Sequence, residues 1–128
     1  MANPKLAPYG AAARNVLDHL SLNEGLDNQA VLGKTVMGEN IAQTYQFVST
    51  GNADIGFVSL SQIMNKGQLK QGSAWIIPKH FYQPIKQDAV LLRKAENNQA
   101  AKALYEYMRT QPALDIIKSY GYDTEAGS

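Results

Sequence analysis

Apolar positions along this chain recur with two different spacings. Ala13, Val16, Leu17 and Leu20 fall at i, i+3, i+4 and i+7, which predicts a helix over residues 11–20. Ile41, Tyr45 and Val48 share one face of a second, over residues 41–49, with Asn40 as its N-cap and Gly51 as its left-handed stop. Ala101, Leu104, Tyr105 and Met108 form a third stripe, capped by Asn98. Ala113, Ile116, Ile117 and Tyr120 form a fourth, with Pro112 at its first position. The last two stripes are expected to be buried. Between them lie short apolar runs without helical spacing. Residues 30–37 predict one strand ending at Gly38, and Asp54–Leu60 reads as a buried strand of a parallel sheet. Residues 74–77, stopped by Pro78, and residues 89–92 predict two more. Residues 61–64 suit a short helix and residues 65–72 a polar loop. Helices alternating with short apolar strands predict an α/β fold.

Composition narrows what such a fold can do. The 128 residues are 45% hydrophobic and 18% charged, an ordinary globular balance for one compact domain. Twelve basic residues face 11 acidic ones, for a net charge of +1, and the basic ones are scattered. That argues against nucleic acid or an anionic membrane as partner. With no cysteine, disulfides, thiolate metal sites and cysteine nucleophiles are excluded. No run reaches the roughly 18 apolar residues that span a bilayer. Met1-Ala2 leads straight into Asn3-Pro4-Lys5, so no signal peptide is expected in this stretch.

Catalysis finds little support. His19 and His80 are the two histidines, and neither has a carboxylate or a second histidine at metal-ligand spacing. Nucleophile-elbow, zinc-protease and phosphate-loop motifs are absent, and the acidic residues show no obvious pairing. The expectation is a protein that is not an enzyme, with no cofactor. Trp75, Tyr82, Tyr105 and Tyr107 read as packing residues rather than a stacking platform, since no basic stripe interleaves them.

Two helix starts stand out instead. Pro8-Tyr9-Gly10 opens one helix from a tight loop, and Gly38-Glu39-Asn40-Ile41 opens another from a strand end. A helix start offers N–H groups without intrahelical acceptors and the positive end of the dipole. Ligands of open α/β sheets sit beyond the carboxyl ends of strands. Two such starts facing one cleft make an anion site without basic side chains. Every helix has such a start, however, and most bind only water. Ser59 and Ser61 flank a strand end and could add hydroxyls, although capping serines of a turn explain them equally.

Four stretches carry a resemblance. They are Asn3–Gly10 (NPKLAPYG), Gly38–Val48 (GENIAQTYQFV) running on through Thr50–Gln62 (TGNADIGFVSLSQ), Pro84–Leu92 (PIKQDAVLL), and Tyr120-Gly121-Tyr122. In this order they resemble the second half of the periplasmic molybdate- and tungstate-binding proteins of ABC importers. The resemblance runs from about Asn3 to Tyr122. It implies a type II periplasmic-binding-protein fold, truncated to the second lobe plus the C-terminal return segment. Residues 1–86 would be that anion-binding lobe. Residues 87–128 would be a crossing strand and helices that dock on the first lobe. It also implies a tetrahedral oxyanion, molybdate or tungstate, held by the backbone N–H groups of Tyr9 and Ile41, with Gly10 and Asn40 beside them. One branch of the family adds a tyrosine hydroxyl where this chain has Ser59. The partners implied are the membrane permease of the importer and a periplasmic setting. The first lobe's hydroxyl ligands have no counterpart here, which implies half a site and weak binding. Apolar surface built to meet that lobe predicts a homodimer. Sulfate as the anion, or an effector-binding domain of a transcription regulator, are the alternatives.

Overall fold

The computed structural model describes residues 1–124. Its helices are α1 (Pro8–Glu24), α2 (Asn28–Gly33), α3 (Ile41–Ser49), α4 (Leu60–Ile63), α5 (Gln99–Tyr107) and α6 (Gln111–Ser119). A hairpin joins β1 (Met64–Asn65) to β2 (Gln68–Leu69), and single 3-10 turns lie at Lys79–Phe81 and Arg93–Ala95. Contacts divide the chain into two units. One is Met1–Gln62 with Ala74–Ile85, the other Ile63–Ser73 with the chain from Lys86 onward.

In the first unit, α1 is longer than the apolar stripe alone indicates. Pro8 at its start has φ already fixed for a helix, and Gly25, at φ 70°, accepts the left-handed turn that ends it. Ala13, Val16 and Leu17 are buried, as the spacing predicts. Ala13 and Leu17 join Met1 in a core that Leu26, Val31, Leu32 and Phe57 pack against. The strand expected over residues 30–37 is overturned in its first half, which is helix α2. The Asp27 carboxylate accepts hydrogen bonds from the Gln29 and Ala30 N–H groups at 3.0 and 3.1 Å, and this cap outweighs the β preference of Val31. The second half forms no strand either, and only Gly38, just beyond it, pairs. Ala2 and Gly38 form a parallel bridge, with Gly38 N–H donating to Met1 C=O (2.9 Å) and Asn3 N–H to Gly38 C=O (2.7 Å). The Met1 amine donates to Val36 C=O at 2.9 Å, and burial pushes its pKa below the ordinary value.

The other strands expected from sequence do not form. Asp54–Leu60, residues 74–77 and residues 89–92 have no ladder among the described residues. A strand is a hydrogen-bonded pairing rather than a property of one segment, and these runs have no pairing partner among the described residues. Several of their apolar side chains face solvent, Ile55 being 89% and Val90 77% exposed.

In the second unit, the β1–β2 hairpin begins at Met64, where a short helix was expected, and takes up most of the polar loop expected over residues 65–72. Lys66 (φ 51°) and Gly67 (φ 78°) both take positive φ, as a two-residue hairpin turn requires. Gly67 N–H reaches the end of α6, donating to Ser119 C=O at 3.0 Å. Asn98 caps α5 through Ala101 N–H at 3.1 Å. Pro112 sits one residue inside the start of α6 rather than at its first position, behind Thr110 as N-cap. Of the apolar faces expected to be buried on these helices, Ala113 is buried, whereas Leu104, Met108, Ile116 and Tyr120 are exposed. Ala101, Tyr105 and Ile117 on the same stripes are half-buried, so the described residues cover these faces only in part.

Candidate functional site

The parallel bridge sets the geometry. Its two segments run the same way, and each leaves it to enter a helix. After Asn3 the chain turns on its own carbonyl, which accepts Leu6 and Ala7 N–H (3.0 Å each), while Asn3 Oδ1 accepts Lys5 N–H at 2.9 Å. Pro8 then opens α1, with Tyr9 second, half-buried, and Gly10 third, buried. After Gly38, Glu39 and Asn40 lead into α3 at Ile41. Both helices therefore start beyond the same end of the bridge, the end where open α/β folds place ligands.

Gly10 is fixed by close approach. A Cβ there would lie against Ala2 C=O and 2.7 Å from the Asn3 carbonyl oxygen, both rigid backbone. Gly38 is similar, since a Cβ would stand 2.7 Å from Thr44 Oγ1. Thr44 is 1% exposed, and its hydroxyl donates to Asn40 C=O at 3.0 Å.

The start of α3 is locally preset. Asn40 Oδ1 accepts Gln43 N–H at 2.9 Å, and Gln43 Oε1 reaches back to Glu39 N–H at 2.7 Å, a variant of the capping box. That leaves the Ile41 and Ala42 N–H groups without an acceptor among the described residues. Ser59 is brought to this turn by a residue that sequence reading missed. Gln62 Oε1 accepts Ser59 N–H at 3.0 Å, and Gln62 Nε2 donates to Ile41 C=O at 3.0 Å. The spacing Ser59-Leu60-Ser61-Gln62 is itself a capping-box pattern, the signal that could have revealed it. Ser59 is buried, with its Oγ 3.2 Å from Ser61 Oγ. Ile41 and Ser59 are thus joined through Gln62, and Gly10 lies against Ala2, the bridge partner of Gly38.

The two histidines also meet. The His19 ring stacks on Phe81 at 4.0 Å, and His80 meets His19 edge-on at 5.8 Å. Together with the Gln83 N–H to Asn15 Oδ1 bond (3.3 Å), these rings fasten Lys79–Phe81 to α1. No cluster of three or more potential metal-ligating side chains occurs among the described residues.

A family profile of bacterial extracellular solute-binding proteins matches residues 1–123. This chain belongs to that family. The molybdate-binding protein ModA of Azotobacter vinelandii is 52% identical over 95% of this chain, and that of Rhodobacter capsulatus 47% identical over 98%. The chain spans about half the length of these curated relatives, 46% of each. It superposes on the solved periplasmic molybdate-binding protein of Azotobacter vinelandii with a TM-score of 0.83 at 34% identity, covering 98% of this chain and 53% of that one. The α/β solute-binding-protein fold expected from sequence is therefore the fold of this family member, present as about half of it.

Proposed function

We propose that this family member supplies the amide-donating part of a molybdate or tungstate site in the solute-binding component of an ABC importer. The observation that carries this reading is the pair of helix starts leaving one parallel bridge, in a chain whose relatives are named molybdate-binding. Ile41 N–H, with Asn40 beside it, and Tyr9 N–H, with Gly10 beside it, are the donors to the oxyanion. Ser59 closes the α3 side. Backbone amides at helix starts suit a dianion, because they neutralise it without mobile side-chain charges. Delivery to a membrane permease in the periplasm follows from the same reading.

Binding by the 128 residues alone is weak. Each missing charge-assisted hydrogen bond removes about 1.5–3 kcal/mol, so three of them reduce affinity by roughly a thousandfold or more. An NMR titration with orthomolybdate tests the site. The Ile41, Ala42 and Tyr9 amide resonances should move together and saturate, and sulfate should compete poorly. Shifts elsewhere, or none, would refute the assignment; stronger binding of sulfate would favour the sulfate alternative.

Self-association is part of the proposal. Leu104, Met108 and Ile116 present exposed apolar faces, and such faces gain about 25 cal/mol per Å² when covered. Light scattering of this chain should show a dimer at high concentration. A monodisperse 14.0 kDa species throughout would remove it.

A further inference from the structure

We infer that Gln62 is a positioning residue for this site; the inference rests on the anion reading above. One neutral side-chain amide ties together the two elements on the α3 side of the site, the Ser59 turn and the first turn of α3. Its oxygen accepts Ser59 N–H at 3.0 Å and its nitrogen donates to Ile41 C=O at 3.0 Å, across a sequence separation of 21 residues in the second case.

Two consequences follow from the chemistry of the peptide group. The Ile41 carbonyl shares its peptide unit with Ala42 N–H, so a donor on that carbonyl polarises the unit and strengthens Ala42 N–H as a donor. Ala42 N–H, which has no acceptor among the described residues, then stands beside Ile41 N–H as a further amide facing the anion. The bracket also satisfies Ser59 N–H and orients the Ser59 turn against the first turn of α3. Only an uncharged side chain with both an acceptor and a donor does this. A carboxylate accepts but cannot donate, and it brings a negative charge to a site for a dianion. A thioether does neither.

The test compares Gln62→Glu and Gln62→Met with the unaltered chain. Orthomolybdate is titrated by NMR at two ionic strengths, and amide exchange at Ser59 is followed without ligand. Gln62→Met should speed Ser59 exchange and weaken molybdate binding about tenfold, the effect of one lost hydrogen bond. Gln62→Glu should keep the Ser59 amide protected yet weaken binding further at low salt, and this extra loss should shrink as salt screens the charge. Affinities within twofold of the unaltered chain in both variants would overturn the inference. So would equal weakening in both at every salt concentration, which is what a merely structural role produces. Failure of the unaltered chain to bind would sink the anion reading first, and this role with it. Binding that both substitutions leave intact would sink the role of Gln62 alone.

Discussion

The first unit and the second are built from equally well-marked helices, yet they differ in what those helices accomplish. In the first, the stripe of α1 is a core: Val16 is 1% and Leu17 3% exposed. Long-range bonds hold it, from the Met1 amine to Val36 and from Gln62 to Ile41. In the second, α5 has a sound asparagine cap and an amphipathic pattern, but Leu104 is 64% exposed. Caps and periodicity form a helix in either place. Whether its apolar face becomes a core depends on what the chain brings against it.

The same truncation in both units should separate them most. Leu17→Ala is expected to cost about 2–4 kcal/mol by removing buried contacts and leaving a cavity. Leu104→Ala should stay within about 0.5 kcal/mol, since that side chain is already in water. Denaturant unfolding of the two variants measures the gap, and equal losses would mean that the α5 face is covered in solution.

A smaller effect tests the backbone contact beneath the site. Gly10→Ala places a methyl group against the Ala2 and Asn3 backbone, and overpacking of this kind costs about 1–3 kcal/mol. Gly51→Ala meets no atom within 4 Å but must hold φ 78°, so it should cost about 1 kcal/mol through backbone conformation alone. Thermal melting distinguishes them. A harmless Gly10→Ala would show that the bridge yields readily.

The cap substitutions sharpen the comparison further. Asn40→Ala and Asn98→Ala each remove one N-cap bond, worth about 1 kcal/mol of stability. Only Asn40→Ala should also weaken molybdate binding, because Asn40 presets the start of α3. Equal effects of both substitutions on binding would argue against a site at that helix.

The smallest expected effect is on the exposed surface. The double substitution Leu104→Ser with Ile116→Ser should leave unfolding within about 0.5 kcal/mol while abolishing any dimer seen by light scattering. A large loss of stability would place these side chains in a core that exists in solution.

The local structure around the candidate site was largely legible, for local reasons. Asn40 as cap, α3 over Ile41–Ser49 and the stop at Gly51 all follow from residues a few positions apart. The helix starts at Tyr9 and Ile41 could be located for the same reason. Gln62 was not found, because its bond to Ile41 spans 21 residues and neutral glutamines are common on surfaces. The meeting of His19 with His80 and Phe81 was equally hidden, since His19 lies far from both in sequence.

By itself, then, the sequence determined the bounds of α3, the asparagine caps of α3 and α5, which face of each predicted helix is apolar, and that no cysteine chemistry is available. Those outcomes depend on caps, periodicity and composition, which act within a turn or two of chain. Tertiary structure alone decided which apolar runs pair and which stripes are buried. It left residues 89–92 without a ladder, made Ala2 and Gly38 a bridge, and set Gln62 between Ser59 and Ile41. The reason is that pairing and burial are relations between distant segments, and a segment carries no record of which neighbour it will meet.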